Sequence, residues 1–125
     1  MAKNGSPQPQ GDKPIEQQAR EQTGQQVRLR VDERNMTSSY ANAFRTNGTA
    51  EEIMLDFGVN LVNPVAQAGQ EQPQPEIVFQ VNDRVIMNYY SAKRLALALG
   101  QLIRRHEEQF GELELDVAKR RKDRV

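Results

Sequence analysis

The chain has 125 residues, 37% hydrophobic and 27% charged, with 17 basic and 17 acidic side chains and no formal net charge. That length holds one small domain and no second core, and the balanced charge excludes binding driven mainly by bulk attraction to nucleic acid or membrane. Cysteine is absent and histidine occurs once, which excludes disulfides, thiolate metal sites, a cysteine nucleophile and a histidine cluster within one chain.

Residues 1–26 are rich in glutamine, proline and glycine, and after Met1 their only aliphatic side chain larger than alanine is Ile15. Such a segment buries too little apolar surface to offset its ordering entropy and reads as a disordered tail. A short helix from Pro14 to Gln22 is compatible with the residues but has no apolar stripe to dock. No apolar core follows the N-terminal lysine as in a secretory signal. The apolar run at 95–99 is far shorter than the roughly 20 residues a bilayer requires. The expectation is a cytoplasmic protein.

Four strand patterns follow. Val27, Leu29 and Val31 alternate with Arg28 and Arg30, as in a half-buried strand. Asp32 to Asn35 break the pattern. Residues 39–46 are a second candidate, with Tyr40, Asn42 and Phe44 on one face. Asn47-Gly48 marks a turn, but Thr49-Ala50-Glu51-Glu52 lengthens it beyond a two-residue hairpin, with room for one helical turn. In the next strand Ile53, Leu55, Phe57, Val59 and Leu61 point one way, and Met54, Asp56, Gly58 and Asn60 the other. A loop over 62–75 contains Pro64, Gly69, Pro73 and Pro75. The fourth strand spans 76–88, with Ile77, Phe79, Val81, Val85 and Met87 on one side and Val78 and Ile86 on the other. Asn82-Asp83-Arg84 predicts a turn or bulge there.

The last zone is helical. Ser91 suits an N-cap, and Ala92, Leu95, Ala96, Leu99, Leu102, Ile103, His106 and Phe110 repeat at three- and four-residue steps. Gly111 stands where a C-terminal cap belongs. Leu113, Leu115 and Val117 alternate as a short edge strand would, and a basic tail closes the chain over 118–125. The fold class is therefore α+β: an antiparallel sheet of about four or five strands packed against one long C-terminal helix, in a single domain over 27–117. One helix is about 10 Å wide and strands lie roughly 4.8 Å apart, so the helix covers about two strands. The uncovered remainder predicts a homo-oligomer, most simply a two-fold dimer.

Tyr40-Ala41-Asn42, Leu55-Asp56-Phe57-Gly58, Arg84-Val85-Ile86-Met87, Ala92-Lys93-Arg94-Leu95 and Glu107 with Phe110-Gly111 occur in an order that resembles DUF3467, a small prokaryotic domain of unknown function. The resemblance covers roughly 28–113. Two departures stand out: Tyr89-Tyr90-Ser91 where the family usually has a proline before the helix, and His106 where it often has tyrosine. The resemblance implies a soluble domain without an assigned activity, and its motifs make Tyr40, Asn42, Asp56, Phe57, Gly58, Arg84, Lys93 and Arg94 the candidate interaction residues.

For each chemical reading of these residues a structural one competes. His106 could be a general base, but it lies on the apolar helix stripe and fits a packed position better. Asp56 and Asp83 could form a carboxylate pair, but they lack a third ligand at suitable spacing, and pairing with an arginine such as Arg84 is the commoner use. Gly58 could admit a ligand to the backbone, although a bulge explains it more simply. Tyr40 and Asn42 could form a small polar site. Phosphate-loop, serine-hydrolase and dinucleotide motifs are absent from the sequence. The reading is a non-enzymatic, homo-oligomeric protein-interaction module that needs no cofactor or metal. The alternatives are a chaperone binding extended polypeptide, similar in element order to the export chaperone SecB, and a nucleic-acid accessory protein using Lys119, Arg120, Arg121, Lys122 and Arg124. Nucleic acid is the weaker partner because Glu107, Glu108, Glu112, Glu114 and Asp116 precede that tail.

Overall fold

A computed structural model describes residues 12–63 and 74–122. Six elements follow in chain order: α1 (Asp12–Thr23), β1 (Ala43–Gly48), β2 (Glu52–Asn63), β3 (Glu76–Asn88), α2 (Tyr89–Phe110) and α3 (Val117–Arg120). The three strands form one antiparallel sheet in the order β1-β2-β3. The α+β class holds, but the sheet has three strands among the described residues, not four or five.

Two expected strands are not strands. Residues 27–31 form no strand pairing among the described residues, and residues 113–116 lead into α3, which Asp116 caps by accepting from the Ala118 amide at 3.0 Å. Part of the segment read as a disordered tail is helical, and α1 takes in the Pro14–Gln22 helix with which the residues are compatible. α1 ends at Gly24, whose φ of +70° suits the cap and whose amide donates to the Arg20 carbonyl at 2.7 Å. The predicted break after Val31 is a turn, in which the Asp32 carboxylate accepts from the Arg34 amide and guanidinium. The loop expected over 62–75 is shorter at its start, because β2 runs to Asn63, while β3 begins at Glu76 as expected; most of the loop lies outside the described residues.

The β1–β2 connection is a three-residue turn with no helical content. The Thr49 amide donates to the Glu52 carbonyl at 2.8 Å, and its hydroxyl accepts from the Glu51 and Glu52 amides. A Cβ at Gly48 would meet the Tyr89 hydroxyl, which donates to the Thr49 carbonyl at 2.7 Å. Tyr89, the first residue of α2, thus fastens the helix start over the hairpin. β3 runs into α2 without a loop, so the N-cap is Asn88, not Ser91. The Asn88 side chain accepts from the Ser91 amide at 2.8 Å. At the other end Gly111, at φ +95°, donates its amide to the Glu107 carbonyl at 2.8 Å, and the Glu107 carboxylate accepts from the Leu113 amide at 2.9 Å.

The predicted bulge is present. β2 and β3 pair in one register up to Phe57–Asp83 and in a shifted one from Gly58–Val81, which leaves Asn82 as the extra residue. One added residue reverses the sides of everything before it. Ile77, Phe79 and Val81 therefore share a face with Arg84 and Ile86, while Val78 and Gln80 share the other with Asp83, Val85 and Met87. The expectation that Ile77 through Met87 line one side fails at this point. Both faces of the outer β2–β3 ribbon become apolar as a result.

Candidate functional site

Register brings together three charged side chains that are far apart in the chain. Asp56 lies opposite Arg45 on β1 and opposite Arg84 on β3, so all three stand side by side on one sheet face. Arg45 donates to Asp56 Oδ2 through Nε at 2.9 Å and Nη2 at 2.7 Å. Arg84 donates through Nε to Oδ1 at 2.7 Å and through Nη2 to Oδ2 at 3.1 Å. The Asp56 side chain is only 4% exposed, whereas both arginines are about half exposed. Arg45 also lies over the Phe79 ring, 5.9 Å from its centroid, and Phe79 reaches this face because of the bulge.

The hydrogen bonds from Arg84, and then those from Arg45, hold the Asp56 carboxyl far below the ordinary carboxylate range, against the opposing effect of burial. Asp56 in turn raises Arg84. A carboxylate held this way stays ionised through the physiological range and has its oxygens occupied, so it is poorly suited to carry a proton. Asp83, the other half of the suspected pair, lies on the opposite sheet face beside Phe57. The two aspartates do not form a site. Pairing of Asp56 with Arg84 is as expected; Arg45 was missed, because only strand register brings it to Asp56.

The other candidates separate into structural joints and free surface. The Asn42 side-chain oxygen accepts from the Asn60 backbone amide at 2.9 Å while the Asn42 backbone amide donates to the Gly58 carbonyl at 3.0 Å, which pins the approach to β1 onto β2. Gly58 is buried, and a Cβ there would run into the Gln80 carbonyl and lie 2.9 Å from Val81 Cα. It marks the bulge, not a ligand. Phe57 is half-buried on the face opposite Asp56. Arg94 joins α1 to α2 through Glu21 at 2.8 Å. Tyr40 and Lys93 are exposed and make no side-chain polar contact among the described residues, so Tyr40 and Asn42 do not form a common polar site. The His106 ring touches Phe110 with centroids 4.9 Å apart, but both residues are exposed, so His106 is not the packed position that the stripe suggested.

These joints coincide with the motifs of the sequence resemblance: Asn42, Asp56 with Gly58, Arg84, and Glu107 with Gly111 each set a bond or a close approach that defines the fold. Residues 6–115 match the family described as protein of unknown function, DUF3467. The chain belongs to this family. The match begins well before the 28–113 over which the motifs could be traced and takes in α1. No curated protein and no solved structure matches this DUF3467 member significantly. No helix among the described residues is long and apolar enough to cross a membrane.

Many large hydrophobic side chains are exposed. Among the described residues no hydrophobic side chain is fully buried. The first turns of α2 are partly covered, at Ser91, Ala92, Arg94, Leu95 and Ala98. Beyond them the stripe lies open, with Leu99, Leu102 and Ile103 about half exposed and Phe110 74% exposed. The outer ribbon is open on both faces, through Leu61 and Val78 on one and Val62 and Ile77 on the other.

Proposed function

We propose that this DUF3467 protein is a non-enzymatic, homo-oligomeric protein-interaction module whose folded state is completed by a second copy of the chain. The observation that carries this reading is that, among the described residues, no hydrophobic side chain is fully buried, although they form a well-formed sheet and a 22-residue helix. An isolated two-stranded ribbon is marginal in water, and an amphipathic helix draws most of its stability from burying its stripe.

Magnitudes favour association. Fully burying a large aliphatic or aromatic side chain contributes about 1.5–3 kcal/mol. Leu99, Leu102, Ile103, Phe110, Leu61, Val62, Ile77 and Val78 each retain about half of that to be gained. Counted on both copies, covering them contributes on the order of 15–20 kcal/mol, against a cost of association of roughly 4–15 kcal/mol.

The Asp56 cluster fits the same reading as an internal tie across the three strands, with its carboxylate committed to two arginines. Tyr40 and Lys93 remain available for contacts with other molecules. Sedimentation equilibrium at micromolar concentration tests the proposal. A mass of twice the 14.2 kDa chain, or a higher multiple, is expected; a stable monomer contradicts it and favours a chaperone-like use of the open faces.

A further inference from the structure

Residues 27–31 have the alternation of a strand and no strand beside them. Val27 and Val31 are exposed, Leu29 is half-buried, and Arg28 and Arg30 carry no ion pair among the described residues. Among the described residues no strand pairs with the outer side of β1 or of β3, the two edges of the sheet. A bare edge is a template for another strand.

We propose that the segment 27–31 of one copy pairs with the β3 edge of a second copy, reciprocally across a two-fold axis. The inference rests on the self-association proposed above and names the segment and the edge that achieve it.

Charge decides between the edges. β1 carries Arg45 and no acid, so an arm bearing two arginines would add like charge there. β3 carries Glu76 and Asp83 on one face, and neither has an ion-pair partner among the described residues. An arm with Arg28 and Arg30 on that face places its Val27, Leu29 and Val31 on the other. There they extend the exposed surface of Ile77 and Val81. One orientation thus satisfies both the charges and the apolar pattern. The bulge makes this possible, because without it Ile77 and Val81 would face the same way as Asp83. Reciprocal exchange of such an arm is a familiar route to a closed dimer.

The test is a charge swap read by native mass spectrometry and sedimentation on the full chain. The double variants Glu76→Lys/Asp83→Lys and Arg28→Glu/Arg30→Glu each put like charges together at both contacts of their own homodimer. Each is expected to dissociate about tenfold more readily than the unaltered protein, since exposed pairs are individually weak. Mixed in equal amounts, the two variants are expected to recover the original affinity as a heterodimer, because opposite charges then face each other at both contacts. That recovery separates loss of association from loss of fold. Variants that dimerise like the unaltered chain, or a mixture as weak as its components, overturn the arm exchange while leaving self-association standing. An unaltered chain that is monomeric removes both.

Discussion

Replacing Gly58 by alanine puts a methyl group where β3 already is. The new Cβ would lie 2.8 Å from the Gln80 carbonyl carbon and 2.9 Å from Val81 Cα, and closer still to the Gln80 oxygen. Carbon atoms at optimal contact are about 3.5–4.0 Å apart. The obstructing atoms are backbone, so no side-chain rotation can relieve the overlap and the β2–β3 ribbon must open at its bulge. Overpacking of this kind costs about 1–3 kcal/mol, and a clash with main chain belongs at the upper end. For a domain of this size about 3 kcal/mol lowers the melting midpoint by roughly 10–15 °C. Gly100→Ala is the control, because nothing lies within 4 Å of its Cβ position in the middle of α2. That change is expected to raise stability by about 0.5–1 kcal/mol. Urea unfolding followed by circular dichroism, at one fixed protein concentration, measures both. A Gly58→Ala loss below about 0.5 kcal/mol would refute the assigned register and bulge.

Asn88→Ala removes the α2 cap and is expected to cost about 1 kcal/mol, while Ser91→Ala, which leaves the capped amide in place, is expected to be nearly neutral in the same unfolding assay. Asp56→Asn is expected to lower the unfolding midpoint at neutral pH by removing the charge shared by Arg45 and Arg84. Because the folded carboxyl titrates below its unfolded value of about 3.9, its contribution is present above that pH and fades as pH falls toward the folded value. The gap between wild type and Asp56→Asn should therefore narrow as unfolding is repeated from pH 6 downward, and a constant gap would count against the ion cluster. Phe110→Ser, at the open end of the α2 stripe, is expected to weaken self-association at least tenfold in sedimentation experiments, and unchanged association would remove this side chain from the contact.

Local pattern made much of this architecture legible. The period-two run from Ile53 to Leu61 identifies β2, and the stripe from Ala92 to Phe110 identifies α2 with its Gly111 cap. Asn82-Asp83-Arg84 announces the bulge, but only the register shows that it turns Ile77, Phe79 and Val81 to the other face. Arg45 and Asp56 are 11 residues apart and belong to different strands. Their contact depends on how two strands align, which neither residue's neighbours encode. Ser91 suits a cap by residue type alone; with β3 running straight into α2, the cap is Asn88. The alternation of Val27, Leu29 and Val31 reports that a strand is possible there, but not which edge supplies its hydrogen bonds.

The central claim is that folding and association are one event in this chain. The melting midpoint as a function of protein concentration, over two to three decades, tests that most directly. Coupled folding predicts a midpoint that rises steadily with concentration. A sharp transition at the same temperature throughout, from a monomer at every concentration, would contradict it.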